Sequence, residues 1–151
     1  MSAQDEHGVP RLTAAAVADD IGLLLAKLRA AGSTLNNKAL AEFGLRERSY
    51  SVLRLASSGL EPTQRELAEF LALDPSQIVA LVDDLESRGL VSREQGRTDR
   101  RQKIVLATPD GERLHADAYA AMQECEAETL SALSTSEAET LRKLLRKALW
   151  G

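Results

Sequence analysis

The run TQRELAEFLALDPSQIVALVDDLESRGL, Thr63 to Leu90, decides the fold because it contains two helix starts and only one tight turn between them. Thr63 stands three residues before Glu66, the spacing at which each side chain caps the other's backbone N–H, and Leu67, Phe70 and Leu71 follow on one face. The second start is Asp74-Pro75 with Gln77 three residues after Asp74, and proline at a first helical position loses no hydrogen bond. Ile78, Leu81, Val82 and Leu85 then recur at i, i+3, i+4 and i+7, which defines a buried stripe, and Gly89 supplies the stop. Two short capped helices joined by "ALDP" make a helix-turn-helix pattern.

Outward from this pair, "LVSREQ" and "QKIVLA" read as extended segments around the polar tip "GRTDRR", so a β-hairpin follows the second helix. "TPDGERL" starts a further helix, with Thr108 as cap and Pro109 first, running through Leu114, Tyr119 and Met122 towards Leu133. Ser134 and Glu137 cap the last helix, which carries Leu141, Leu144, Leu145 and Leu149. On the N-terminal side a long helix is expected from Thr13 to about Phe43, on Val17, Ile21, Leu24, Leu25, Leu28 and Leu35, and another from about Arg46 to Ser58. The expected fold is mainly α with a small β-hairpin wing: a winged helix-turn-helix plus a helical dimerisation region. Residues 1–151 form one unit, with the winged helix at 46–108 and dimerisation helices at 13–43 and 109–149.

Charge distribution is more informative than net charge. The chain sums to −4, yet Arg93 to Lys103 carries +3, which leaves about −7 on everything else. A localised basic site beside a helix-turn-helix points to duplex nucleic acid. Helix starts at Thr63 and Pro75 offer free N–H groups to phosphate. Ser76, Gln77 and Ala80 on the exposed side of the second helix face a groove, where Gln and Ser have the donors and acceptors to read base edges, and Thr63 and Gln64 at the first helix start are further DNA-binding candidates. The tip, with Arg97, Arg100 and Arg101 and with Lys103 beside it, is narrow and positive enough for a minor groove. Against this stands an acidic second helix, −3 from Asp74 to Arg88, so Asp83 and Asp84 must turn away or pair with arginines.

Other chemistries find little support. There is one cysteine, Cys125, read as a packed small hydrophobe, and the two histidines, His7 and His115, have no metal-ligand spacing. No nucleophile elbow, phosphate loop or catalytic dyad is present, so no enzyme and no cofactor is expected. No apolar run approaches membrane-spanning length, and "MSAQDEHGVP" is unlike a secretion signal, so the expected location is the cytoplasm.

From Thr63 to Leu114 the sequence resembles the core of MarR-type (multiple antibiotic resistance) winged-helix regulators. The resemblance lies in Leu67-Ala68, Pro75-Ser76, "LESRGLV", "DRR" in the wing and "LATPDGERL" after it, and the flanking helices extend it from about residue 13 to 149. It implies a homodimer with interlocked terminal helices, which binds a near-palindromic operator in double-stranded DNA as a transcriptional regulator, as a repressor in the leading reading. It also implies that Asp99 holds Arg101 for DNA, and that a small aromatic or phenolic acid enters a crevice between the dimer helices and the winged helix. Arg11, Tyr50 and Arg54 are the residues available for that ligand; the simpler alternatives are solubility for the arginines and core packing for Tyr50. Val79, Ala80 and Asp84 depart from the family, whose members often place Thr, Arg and a basic residue there. An alternative from another class is a winged helix serving as a protein-interaction module without specific DNA binding.

Overall fold

The computed structural model describes residues 11–151; His7 and the acidic N-terminal run lie outside them. Two 3-10 turns, Arg11–Ala14 and Ala16–Asp19, lead into α1 (Ile21–Ala41), followed by α2 (Glu47–Ala56), α3 (Gln64–Leu71) and α4 (Pro75–Ser87). The antiparallel strands β1 (Val91–Gln95) and β2 (Lys103–Ala107) come next, then α5 (Pro109–Thr129) and α6 (Thr135–Trp150). The fold class read from the sequence is the one observed. One boundary differs: the first long helix starts at Ile21 and not at Thr13, because Asp20 has extended backbone dihedrals and interrupts the helical path.

The core gathers where α2, α3, α4 and the hairpin converge. Leu53 of α2, Leu67 of α3, Ile78, Val82 and Leu85 of α4, and Val105 of β2 are fully or almost fully buried. The capping pattern explains why these helices start where they do. Thr63 Oγ1 accepts from Glu66 N–H at 3.1 Å while Glu66 Oε2 accepts from Thr63 N–H at 2.8 Å, and Gln77 Oε1 accepts from Asp74 N–H at 3.2 Å. Between α3 and α4, Ala72 takes a left-handed conformation, φ +52°, and Leu73 N–H donates to Ala68 O at 3.0 Å. A non-glycine residue pays about 1 kcal/mol or more for that conformation, which the packed pair of helices holds in place.

One expectation fails locally, and one strand departs from simple alternation. Phe70 does not join the buried face of α3: it is 60% exposed and stacks on Trp150 of α6, with ring centroids 5.9 Å apart. Ile104 and Val105 are both buried, so β2 does not simply alternate. The reason is a third segment beside it, since Val105 N–H donates to Pro62 O at 2.8 Å and Ile104 is bridged to Thr63. The wing is thereby tied to the chain entering α3 as well as to the end of α4.

"TPDG" has a packing role beyond its caps. Thr108 Oγ1 accepts from Gly111 N–H at 3.1 Å and donates to Gly89 O at 2.6 Å, which pins the start of α5 on the end of α4. A β-carbon on Gly111 would sit inside the van der Waals radius of the Leu90 carbonyl oxygen, so only glycine permits this approach. From there α5 runs back along α1, and Cys125 is buried between them with its thiol 3.7 Å from Leu35 O. Burial pushes the Cys125 thiol pKa up, helped by Glu128 and Glu124, which favours the protonated thiol.

Candidate nucleic-acid interface and adjoining crevice

Helical periodicity places Ser76, Ala80 and Ser87 opposite the Ile78-Val82-Leu85 stripe, with Asp83 and Asp84 on either side of that outward line. The two aspartates are drawn to opposite flanks. Asp83 pairs with Arg93 at 2.6 Å; Asp84 lies 3.7 Å from Arg88, whose guanidinium also donates to Phe43 O and Gly44 O. The apparent acidity of the second helix is therefore answered by arginines within the chain, and its outward surface is small and polar.

Arg93, which the sequence reading counts in the +3 of the basic segment but not among the cations of the tip, answers the acids of α4. Its side chain is only 18% exposed and links three elements: Gln64 of α3 accepts at 2.6 Å, Asp83 and Glu86 of α4 pair with it at 2.6 and 3.0 Å, and Val79 O lies at 3.4 Å. The Arg93 backbone N–H adds a bond to Glu86 Oε2 at 3.0 Å. A guanidinium suits this role because its five donors form a rigid planar fork. The acidic surplus on α4 was the available sign that some arginine had to answer it.

The tip itself divides its cations. Arg97 pairs with Glu61 at 2.7 Å, whereas the exposed side chains of Arg100, Arg101 and Lys103 have no ion-pair partner among the described residues. Asp99 does hold Arg101, but through the main chain: Asp99 Oδ1 accepts from the Arg101 backbone N–H at 3.0 Å. It shapes the turn, with Gly96 N–H donating to Gln102 O at 2.9 Å, and leaves the guanidinium to solvent. Thr63 and Gln64 are engaged by Glu66 and Arg93; Ser76, Gln77 and Ala80 are exposed on the first turns of α4. Arg93 thus links β1, the strand that leads to the tip, to α3 and α4.

Away from α4 lies an apolar crevice of about 480 Å³, walled by Leu25 and Leu28 of α1, Tyr50 of α2, Met122 of α5, and Leu141 and Leu145 of α6. Of the three candidate ligand contacts, Tyr50 and Arg54 border it; Arg11, exposed in the first 3-10 turn, does not. Arg54 stacks 4.7 Å from the Tyr119 ring centroid and reaches the Tyr50 hydroxyl at 3.5 Å. Tyr50 is buried, which raises its phenol pKa against the lowering effect of Arg54, so the hydroxyl stays protonated and able to donate. His115 stacks on Tyr50, and burial and the Arg54 charge lower its pKa. The sequence offered no sign of the wall as a whole, since four helices far apart in the chain supply it.

The family model for the MarR family matches residues 45–103. A MarR-family transcriptional regulator from Rhodococcus sp. RHA1 is 40% identical and superposes with a TM-score of 0.85, covering 91% of this chain and 97% of that one. CouR from Rhodococcus jostii RHA1, crystallised bound to p-coumaroyl-CoA, is 41% identical, with a TM-score of 0.81 over 91% of this chain and 96% of that one. A mutant MarR from E. coli, solved in complex with operator DNA, is 25% identical, with a TM-score of 0.74 over 85% and 93%. The chain belongs to the MarR family of transcriptional regulators. Among the described residues no helix is long and apolar enough to cross a membrane.

Proposed function

We propose that the protein is a cytoplasmic, homodimeric repressor that binds a near-palindromic operator through α4 and the wing, and that a small aromatic or phenolic acid, or its thioester, releases it. Residues 46–108 are the DNA-binding part; 13–43 and 109–149 form the dimer. No catalytic activity or cofactor belongs to this reading. The observation that carries it is the distribution of charge: the aspartates of α4 pair with Arg93 and Arg88, while the exposed Arg100, Arg101 and Lys103 of the wing have no ion-pair partner among the described residues and Ser76, Gln77 and Ala80 are exposed on α4. Phosphate attraction falls to the wing and to the N–H groups at the starts of α3 and α4, including Thr63 and Gln64. Arg97 joins on DNA only by exchanging Glu61 for phosphate, and Asp99 serves by fixing the turn that presents Arg100 and Arg101.

The ligand half of the proposal draws on the crevice, where an apolar wall meets Tyr50 and Arg54, and on a relative 41% identical that was crystallised with p-coumaroyl-CoA. Arg11 is set aside as a contact to the ligand within the same protomer.

The decisive measurement is selection of bound sequences from a random duplex pool, followed by titration of the selected site across salt concentrations. Replacing Arg100 and Arg101 by Ala should weaken binding to all sequences alike and reduce the log–log salt slope by about one unit per lost phosphate contact. A protein that enriches no sequence is a protein-interaction module instead. A salt slope unchanged by the double substitution removes the wing from the interface.

A further inference from the structure

The polar side chains that could read bases from α3 and α4 are largely engaged within the chain. Gln77 Oε1 accepts from the Asp74 N–H at 3.2 Å, Gln64 Oε1 accepts from Arg93 Nε at 2.6 Å, and Thr63 Oγ1 donates to Glu66 Oε2 at 3.0 Å. Asp83 and Asp84 lie against Arg93 and Arg88, and Ser87 Oγ donates to Asp84 O at 2.7 Å. A bidentate contact to adenine uses both the oxygen and the nitrogen of one glutamine side chain, so Gln77 makes it only by giving up its share of the α4 cap. From Pro75 to Asp84, Ser76 is the one polar side chain without a partner among the described residues.

What α4 leaves open is apolar. Val79 is 40% exposed, and Pro75 and Ala80 are exposed as well. Val79 borders a hollow of about 510 Å³ between α3 and α4, where Ala68, Leu73 and Pro75 supply further apolar wall and Arg65 and Glu69 the charged part. Those two charges answer each other at 2.8 Å, so the hollow offers no unpaired ion to a ligand. Arg65 and Pro75 stand in the first turns of their helices, which places the hollow beside the two helix starts whose N–H groups suit phosphate.

In the major groove the apolar group that distinguishes one base from the others is the 5-methyl of thymine. We propose that Val79 reads a thymine 5-methyl group in each half of the operator, with the small side chains of Ser76 and Ala80 letting the helix approach the base edges. The inference rests on reading α4 as the recognition helix, and it makes base selection by that helix apolar. Such a contact adds selectivity without adding charge, which suits a helix whose own charges are answered inside the domain.

The test uses the full-length protein and the duplex it selects from a random pool. Each thymine of one half-site is replaced in turn by deoxyuridine, which removes the 5-methyl group and keeps every hydrogen-bonding group of the base. In gel-shift titrations at fixed salt, deoxyuridine at one position should weaken wild-type binding about fourfold, the effect of uncovering one methyl group. Val79→Ala should bind the thymine and deoxyuridine duplexes alike, both as weakly as wild type binds the deoxyuridine duplex, so that the two changes do not add. Val79→Ile, which keeps an apolar side chain of full reach, should retain the preference for thymine. A melting temperature close to wild type establishes that each variant folds, and the deoxyuridine scan on wild type stands without any variant. A scan with no sensitive thymine, or a selected half-site that contains none, overturns the inference and leaves operator binding standing. A position that stays equally sensitive in Val79→Ala shows that another group or the bending of the duplex senses the methyl, and also overturns it. A pool from which no sequence is enriched overturns the reading of α4 as a recognition helix and this inference with it.

Discussion

Helices α4 and α6 carry the same kind of amphipathic pattern and meet different fates. Ile78, Val82 and Leu85 of α4 are completely buried, whereas α6 has no buried residue although it presents Leu141, Leu144, Leu145, Leu149 and Trp150. Leu144 is 60% and Leu149 68% exposed, and the start of α1 is similar, with Ile21 at 74%. Periodicity states that a helix has an apolar face; it does not state whether the same chain supplies what covers it. The winged helix closes on itself, and the terminal helices leave an apolar surface that a second copy would cover in the proposed homodimer.

The largest expected effects lie on that contrast. Leu85→Ala opens a cavity in a close-packed core and should cost about 2–5 kcal/mol, read as a lower urea midpoint. Leu149→Asp should leave the winged helix folded and instead move the mass in sedimentation equilibrium from twice 16.4 kDa towards 16.4 kDa. A Leu149→Asp protein that stays dimeric would mean that the exposed stripe of α6 is not the interface, and the comparison would lose its meaning.

A smaller effect tests how self-contained the winged helix is. Arg93→Met removes the link between α3, α4 and β1 and leaves Asp83 and Glu86 without their partner. Because both carboxylates are substantially exposed, the stability loss should be modest, about 1–2 kcal/mol. Operator affinity should fall more, since the two acids then face phosphate unopposed. Adding Asp83→Asn and Glu86→Gln to Arg93→Met should recover much of the affinity in a gel-shift titration. No recovery would mean that Arg93 acts by placing the wing and not by answering charge.

What could be read from the chain follows the range of the interactions involved. The caps at Thr63, Thr108 and Ser134 and the stripe on α4 are local patterns spanning about one or two turns, and the structure reproduces them. The identity of the wing was legible because its two strands and the "DRR" tip directly follow α4 in the chain. The function of Arg93 was not: nothing in "VSREQ" says that its guanidinium folds back 29 residues to Gln64. Phe70 misled because an i, i+3 match to Leu67 marks a face without saying how far around the helix the neighbours extend, and Trp150 lies 80 positions away. Arg11 was chosen for proximity in sequence to a helix that in fact starts later. The hollow beside Val79 went unseen because only the packing of α3 against α4 brings Ala68 and Val79 to one wall.

The smallest effect lies where the two halves meet. His115 of α5 is packed between Tyr50 of α2 and Tyr119, with Arg54 nearby, and its Nε2 is buried with no hydrogen-bond partner among the described residues. Burial first, and then the Arg54 charge, lowers its pKa below the usual histidine value of about 6.5. The unfolded chain therefore takes up this proton before the folded one does. The resulting stability is fully present above about pH 6.5 and is lost as the pH falls from there towards the lower folded pKa. His115→Phe keeps an aromatic ring against Tyr50 and cannot titrate. Its melting temperature should fall less than that of wild type between pH 7 and pH 5, by a small margin because the ring is partly solvated. Parallel pH profiles for the two proteins would place His115 outside the packed junction, and α5 would then belong more fully to the terminal helices than to the winged domain.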